Sequence, residues 1–213
     1  MNISKLHYIS QGKTPEDHLN HIRQACTYGA EWVQLRLKDL PEETILKTAK
    51  KARDITAHFQ TRLIINDHYK IAKMVKADGV HLGKTDTCPT EARKVLGKWY
   101  IIGGTANTLE DCENLIAKSV DYIGLGPFRF TKTKKNLSPV LGLEGYQAIL
   151  NVLKNSTPII AIGGIVEADL PKLLKTGVHG VAMSKTITHS FNKISTINKL
   201  LGALASQEQQ HTF

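Results

Sequence analysis

The sequence predicts a single (β/α)8 barrel of the TIM-barrel class, and three observations support this fold class. Short β-rich runs alternate with amphipathic helical stretches along the chain, which implies a parallel sheet with right-handed crossovers. Most of the β-rich runs are continuously apolar, as expected of parallel strands that are covered on both faces. Eight such units favour a closed barrel over an open doubly wound sheet.

The predicted strands are short runs that are rich in apolar and β-branched residues. They are residues 6–10, 32–36, 63–66, 79–82, 100–103, 122–125, 159–162 and 180–183.

The predicted helices are amphipathic and start with recognisable signals. In the first, Thr14 is the expected N-cap and Pro15 the first helical residue, and Leu19, Ile22 and Cys26 recur at helical spacing. The second follows Pro41, with a stripe of Ile45, Ala49, Ala52 and Ile55. The others are about 69–75, 89–96, 109–119, 144–154, 167–175 and 192–205.

The composition predicts one catalytic domain over residues 1–205, followed by a polar, disordered tail at 206–213. The chain has 213 residues, 41% apolar and 22% charged, without a visible linker. Cys26, Cys88 and Cys112 form no CxxC pair, so we expect free thiols in a cytoplasmic protein. No signal-peptide layout and no run of about 20 apolar residues is visible, so we expect no membrane association.

The net charge of +9 raises the question of nucleic-acid binding. The lysines are scattered, and no helix-turn-helix, zinc-finger or aromatic RNA-binding pattern is present. A basic surface that attracts small polyanionic substrates explains the charge at least as well. We therefore expect small phosphorylated molecules as partners and no nucleic acid, and the sequence leaves a homo-oligomer open.

Polar and glycine residues follow seven of the predicted strands. Barrels of this class build their active sites at these carboxyl ends. The segments are 34–38, 66–67, 81–86, 103–105, 126–134, 163–164 and 184–185.

Asp67 and Asp86 follow adjacent predicted strands and can converge on one hard cation. Mg2+ typically takes one or two protein carboxylates and fills its other positions with water and phosphate oxygens. The alternative is that each aspartate caps the following helix. The pair, surrounded by basic residues, favours the metal site.

Cations near these strand ends are candidate phosphate ligands. Arg36, Lys38 and Lys134 would grip an anion, although a solvated barrel rim is the usual place of a lysine. Arg36 ends an apolar strand, where an unpaired charge is costly, so a ligand or carboxylate partner is expected.

A second phosphate site is predicted from the loops after the sixth, seventh and eighth strands. Thr131, Thr133 and Lys134 offer hydroxyls and a cation, and Gly163 and Gly164 allow close backbone approach. A double glycine is also common in a plain tight turn.

Two histidines and one tyrosine can each be interpreted in more than one way. His81 could take part in proton transfer, but a histidine in such a place is more often a hydrogen-bonded structural residue, and His68 is equally open. Tyr8 could line a planar ligand or close the barrel floor. No Ser/His/Asp or Cys/His set is recognisable, which disfavours covalent hydrolase chemistry.

Four segments carry a resemblance to a known family: VQLRLKD, INDHYKIA…ADGVHLGKTD, DYIGLGPFRFTKTKK and PIIAIGGI. They occur in order and at family-like spacing, and the similarity runs from LHYIS to GVHGVAM. The chain resembles the thiamine phosphate synthases. The resemblance implies a (β/α)8 barrel that joins 4-amino-2-methyl-5-hydroxymethylpyrimidine diphosphate to 4-methyl-5-(2-phosphoethyl)thiazole, or its carboxylated form, giving thiamine phosphate and diphosphate.

The resemblance also implies roles for individual residues. Asp67 and Asp86 would hold Mg2+, and Arg36, Lys38, Thr105 and Lys134 would be catalytic. The implied substrate contacts are Gln34, Arg36, Lys38, Asn66, Thr105, Thr131, Thr133, Lys134, Gly164, Ser184 and Lys185.

The chain departs from the family pattern at several positions. Leu37 stands where Glu is usual and Lys84 where Gln is usual, while Thr105 replaces Ser. Ser184 and Lys185 replace an apolar-Ser pair. The related thiazole tautomerases are the alternative; they resemble the synthases but lack the full metal pair and use a histidine after strand five, where this chain reads Thr-Ala-Asn. The synthase is therefore favoured.

Overall fold

The protein, described from a computed structural model, forms one closed barrel. The structure describes residues 2–130 and 139–210. Neighbouring strands pair in parallel and in chain order, and the first strand also pairs with the eighth. The strands are β1 (Leu6–Ile9), β2 (Trp32–Leu35), β3 (Arg62–Asn66), β4 (Gly79–Leu82), β5 (Ile101–Ala106), β6 (Tyr122–Leu125), β7 (Ile159–Ala161) and β8 (Gly180–Met183). The predicted (β/α)8 barrel is confirmed.

Helices follow the strands and cover the outside of the barrel. They are α1 (Pro15–Thr27), α2 (Glu42–His58), α3 (Tyr69–Met74), α4 (Pro89–Leu96), α5 (Leu109–Ala117), α6 (Gly142–Val152), α7 (Leu170–Leu174), α8 (Lys185–Thr188) and α9 (Lys193–Gln210). In the described parts of the chain, no helix is long and apolar enough to cross a membrane.

Several elements differ from the sequence prediction, among them the short helix α8, which was not predicted. β5 continues to Ala106, three residues beyond its predicted end, so Thr105 lies within the strand. The predicted helix at 167–175 is divided into a 3-10 turn, Glu167–Asp169, and α7, where Pro171 lies in the first turn and cannot donate a backbone hydrogen bond. α9 continues to Gln210, within the segment predicted as a disordered tail, and residues 211–213 lie outside the described part.

Side chains at the helix starts fix where two of these helices begin. Before α1, the Asp17 N–H donates to Thr14 Oγ1 at 3.1 Å, and the Thr14 N–H donates to Asp17 Oδ2 at 2.9 Å. Thr108 and Asp111 form the same reciprocal pair before α5. Such capping boxes satisfy backbone donors that the first helical turn leaves unpaired.

Large side chains fill the lower part of the barrel interior. The His7 ring stacks on Trp32 with centroids 4.1 Å apart, and both rings meet Tyr122 edge-on. Ile64 and Ile160 pack in the same cluster. Because the floor is filled, a ligand can enter this barrel only from the carboxyl ends of its strands.

Gly103 makes room for the Tyr122 ring. A Cβ atom at position 103 would lie 2.1 Å from Tyr122 Cζ, so we expect Gly103→Ala to lower the free energy of unfolding. The cost of such overpacking is about 1–3 kcal/mol, measurable by urea unfolding. Gly202→Ala is the matched control, since nothing lies within 4 Å of a Cβ there. Equal stability of both variants would contradict this packing.

Candidate active site

A buried pair of amide side chains lies at the carboxyl ends of β2 and β3. Gln34 Nε2 donates to Asn66 Oδ1 at 2.7 Å. Asn66 Nδ2 is also buried, and among the described residues it has no hydrogen-bond partner. Buried donors are nearly always paired, so this one points to an acceptor on a bound ligand.

Two carboxyl groups meet beside this pair. Asp67 follows β3 with a φ of 65°, and its N–H donates to the carbonyl oxygen of His81 at 2.9 Å, which fixes the loop. Asp86 Oδ2 accepts from the Gly83 N–H at 2.6 Å, and Lys38 Nζ lies 3.1 Å from Asp67 Oδ2. Neither aspartate caps a helix, because α3 and α4 have His68 and Cys88 as N-caps.

The two carboxyl groups have coupled protonation. Burial and the neighbouring Asp86 carboxyl raise the pKa of Asp67 to about 6, and Lys38 only partly offsets this rise. Burial acts in the same direction on Asp86, but hydrogen bonds from Asp67 and the Gly83 N–H outweigh it and lower the pKa of Asp86. Asp67 therefore holds a proton only below about pH 6, and a divalent cation bound there would displace that proton.

The donor set fits Mg2+, because two carboxylates leave four of six positions for water and phosphate oxygens. In residues 2–130 and 139–210, no group of three or more His, Cys, Asp or Glu side chains could hold a metal ion. A metal at this site would therefore depend on oxygens that the ligand supplies.

Arg36 and Lys38 line a cleft of about 780 Å3 together with the loop after β1. Asp67 and Asp86 do not line this cleft, but Lys38 connects it to them through its contact with Asp67. Arg36 is half-buried, and burial lowers its pKa although the carboxylates of Asp67 and Asp39 act against this. Among the residues that the structure describes, Arg36 forms no direct ion pair. A partly desolvated guanidinium without an ion-pair partner is a ready binding site for an anion.

The loop after β1 fixes the backbone of Arg36 by a hydrogen bond. Ser10 Oγ accepts from the Arg36 N–H at 3.1 Å, and it lies 2.8 Å from His18 Nδ1. Burial lowers the pKa of His18 to about 4, so its ring is neutral at pH 7. Sequence reasoning missed Ser10 and His18, because their contact depends on how two loops meet.

His81 is held inside the barrel by two hydrogen bonds. Its Nδ1 lies 3.0 Å from the Tyr122 hydroxyl and its Nε2 lies 2.9 Å from Thr105 Oγ1. Of the two interpretations left open by the sequence, the structure supports the hydrogen-bonded one. Thr105 itself is half-exposed toward the strand ends.

Arg129, from the loop after β6, holds the turn after β7 by hydrogen bonds to Gly164 and Asp169, a contact that we call the clasp. Gly163 and Gly164 have φ values of 93° and 68°, in the left-handed region that favours glycine. The Arg129 guanidinium donates to the Gly164 carbonyl oxygen at 2.6 Å and to both Asp169 carboxylate oxygens at 2.8 and 2.9 Å. No local sequence signal indicated this contact, because Asp169 lies in the 3-10 turn after β7, far along the chain from Arg129.

The predicted residues divide into three groups by position. Gln34, Arg36, Lys38, Asn66, Asp67, Asp86 and Thr105 lie together at the carboxyl ends of β2 to β5. Gly164, Ser184 and Lys185 lie after β7 and at the start of α8, and Ser184 Oγ donates to Gln11 Oε1 at 3.4 Å. Thr131, Thr133 and Lys134 lie outside the described residues.

Three other residues that the sequence singled out have contacts of their own, and one of them, Leu37, also lines the cleft of Arg36 and Lys38. The expectation for Tyr8 was wrong in both forms, because its hydroxyl bonds to Thr188 Oγ1 at 2.9 Å and its ring packs against Phe191, outside the barrel. Leu37 is buried, and Lys84 pairs with Asp111 at 2.8 Å.

The fold and the site together define a (β/α)8 barrel with paired carboxyl groups and cations at the carboxyl ends of its strands. A family model described as thiamine monophosphate synthase matches residues 6–187. The chain belongs to this family.

Individual relatives support the same assignment. A thiamine-phosphate synthase of Flavobacterium psychrophilum is 46% identical over 200 residues, covering 92% of this chain and 97% of the relative. One from Bacteroides thetaiotaomicron is 47% identical over 199 residues, with 92% and 95% covered. The solved thiamine phosphate pyrophosphorylase from Pyrococcus furiosus is 28% identical with a TM-score of 0.78, covering 92% of this chain and 96% of that one.

Proposed function

We propose that this chain joins 4-amino-2-methyl-5-hydroxymethylpyrimidine diphosphate to 4-methyl-5-(2-phosphoethyl)thiazole, forming thiamine phosphate and diphosphate with Mg2+ present. Membership of the synthase family and relatives above 40% identity support the synthesis of thiamine phosphate. The observation that carries the assignment of the reaction centre is the Asp67–Asp86 carboxyl pair beside Lys38 and Arg36.

The diphosphate is assigned to the cleft beside the carboxyl pair. Asp67 and Asp86 would hold Mg2+, which when bound supplies positive charge to neutralise the diphosphate oxygens. Arg36 would grip a phosphate group with two parallel N–H donors, and Lys38 would leave Asp67 to add a point charge.

The pyrimidine is assigned to the amide pair. Gln34 and Asn66 are buried and fixed by their mutual hydrogen bond of 2.7 Å. The unpaired Asn66 Nδ2 would donate to a ring nitrogen or an oxygen of this substrate. A fixed amide pair orients the ring, which contributes proximity and alignment to the reaction.

The reaction needs stabilisation of a leaving anion rather than a nucleophilic side chain. The bond between the pyrimidine methylene carbon and the diphosphate oxygen breaks, and its electron pair leaves with the diphosphate. Arg36 and Lys38 would stabilise that charge, and Lys134, which lies outside the described residues, would add a third cation. The thiazole nitrogen then forms the new bond to the methylene carbon, giving the thiazolium product without loss of a proton.

The thiazole phosphate is assigned to the opposite side of the barrel mouth. Gly164, Ser184 and Lys185 would receive its phosphate, together with Thr131 and Thr133. The clasp of Arg129 on the Gly164 carbonyl would hold this turn in position.

Breaking the clasp should weaken binding of the thiazole phosphate selectively. We expect Arg129→Met to raise the KM for this substrate about 10-fold, equivalent to about 1.4 kcal/mol, while the KM for the pyrimidine diphosphate stays unchanged. Lys193→Met is the matched control, because Lys193 forms an exposed ion pair with Glu167 on the same side of the barrel. An equal rise in both KM values would contradict the assignment.

The proposed function is tested by chromatography of reaction mixtures with both substrates, with either one alone, and with Mg2+ removed by EDTA. We expect thiamine phosphate and diphosphate in equal amounts only when both substrates and Mg2+ are present. Conversion of the thiazole phosphate alone to an isomer, without Mg2+, would instead identify a tautomerase.

A further inference from the structure

Three side chains form a hydrogen-bonded chain from the barrel interior to the strand ends. Tyr122 on β6 contacts His81 on β4, and His81 contacts Thr105 on β5, at distances of 3.0 and 2.9 Å between the polar atoms. Tyr122 is 1% exposed and His81 is 8% exposed. Their rings are stacked with centroids 5.5 Å apart. Of these three side chains, only Thr105 reaches the candidate active site.

Two glycines keep these rings in one place. A Cβ atom on Gly103 would lie 2.1 Å from Tyr122 Cζ, and one on Gly124 would lie 3.0 Å from His81 Cε1. The backbone of β5 and β6 therefore closes directly over the two rings. Close packing of this kind fixes the positions of both polar atoms of the imidazole.

The donors and acceptors available to Tyr122 and His81 determine which atom donates in each of the two hydrogen bonds. Burial raises the pKa of Tyr122, so this side chain keeps its phenolic proton. Among the described residues, His81 Nδ1 is the acceptor available to that proton, and a buried hydroxyl proton without an acceptor is costly. Nδ1 therefore accepts, Nε2 carries the ring proton, and Nε2–H donates to Thr105 Oγ1.

We propose that Tyr122 and His81 are positioning residues that turn the Thr105 hydroxyl into a hydrogen-bond donor aimed at the substrate. Because the Thr105 oxygen accepts from His81, its own proton is directed away from the ring and toward the half-exposed side of β5. The matching group on the ligand is an acceptor of the pyrimidine diphosphate. This assignment of the ligand rests on the proposed function, whereas the direction of the hydrogen bonds from Tyr122 to His81 and from His81 to Thr105 does not.

The direction of the chain is tested without turnover, by NMR of the protein with 15N-labelled histidine. We expect the proton that His81 shares with Thr105 to lie on Nε2, with the ring signals identified by their loss in His81→Gln. Tyr122→Phe removes the donor to Nδ1 and should give a mixture of the two tautomers. A ring proton on Nδ1 in the unsubstituted protein, or unchanged ring signals in Tyr122→Phe, would overturn the proposal.

The positioning role is tested by a double-substitution cycle. We expect Tyr122→Phe to lower kcat about 10-fold in the unsubstituted protein and to have no further effect in a Thr105→Val background. Tyr146→Phe is the matched control, since Tyr146 is also buried and donates to the Leu125 carbonyl oxygen. The same 10-fold loss in the Thr105→Val background would show a structural role only and overturn the proposal. A protein with the expected tautomer but no synthase activity would refute the proposed function and leave the hydrogen-bonded chain in place.

Discussion

Replacing either member of the carboxyl pair is expected to remove almost all synthase activity. In Asp67→Asn and Asp86→Asn, the proposed Mg2+ would lose one of its two protein ligands, and the developing diphosphate charge would lose several kcal/mol of stabilisation. A loss of about 4 kcal/mol lowers kcat/KM about 1,000-fold, which a continuous diphosphate-release assay measures. Asp54→Asn is the control, because Asp54 is exposed on α2.

Stability should not fall with activity in Asp67→Asn. At this pH the amide can donate a hydrogen bond to Asp86 and removes the repulsion between two ionised carboxylates, while the lost partner, Lys38, is 45% exposed and its ion pair contributes little. We expect a melting temperature at pH 7.5 without Mg2+ that equals or exceeds that of the unsubstituted protein. A lower melting temperature would mean that the ionised Asp67–Asp86 pair contributes to the stability of the fold.

The pH dependence of the carboxyl pair follows from the raised pKa of Asp67. The group has a pKa of about 6 in the metal-free fold, so it is ionised above pH 6 and protonated below it. A cation binds the ionised form, and its apparent affinity should therefore be constant above pH 7 and fall as the pH drops through 6. Affinity for Mg2+ that stays constant between pH 7.5 and 5 would contradict this interpretation.

Loss of the Arg36 side chain is the second large expected effect. Arg36→Met removes a half-buried cation at the diphosphate cleft and should lower kcat/KM for the pyrimidine diphosphate about 100- to 1,000-fold, equivalent to about 3–4 kcal/mol. Arg36→Lys keeps the charge but loses the two-pronged contact, so it should fall between Arg36→Met and the unsubstituted protein.

Controls for Arg36 separate binding from folding. Burial costs this guanidinium part of its hydration, so Arg36→Met should leave the free energy of unfolding unchanged or raise it. Arg23→Ala on α1 removes an exposed arginine and should leave kinetics unchanged. If Arg36→Met retained normal kcat/KM, the diphosphate would have to bind elsewhere.

The part of the site at the ends of β2 to β4 was predictable because strand ends are easy to find. Arg36, Asp67 and Asp86 each follow an apolar run closely, and parallel strands bring their carboxyl ends to the same edge. Once the fold class was recognised, local sequence was enough to place these residues near one another.

Other features depend on contacts that local sequence does not encode. Continuously apolar strands do not say which side chains face inward, so Tyr122 could not be assigned to the barrel interior nor Tyr8 to the outside. Gly103 and Gly104 looked like a strand end, but β5 runs through them because Tyr122 and Leu115 need the space. The Arg129–Asp169 clasp joins two separate loops.

Calorimetric titration of inorganic diphosphate at pH 7.5 tests the assigned reaction centre most directly. We predict binding to the unsubstituted protein in the presence of Mg2+, and affinity at least 100-fold weaker when EDTA replaces Mg2+ or when Asp86 is changed to Asn. Diphosphate affinity that is the same with and without Mg2+, and the same in Asp86→Asn, would contradict the assignment of Asp67 and Asp86 to a metal–diphosphate site.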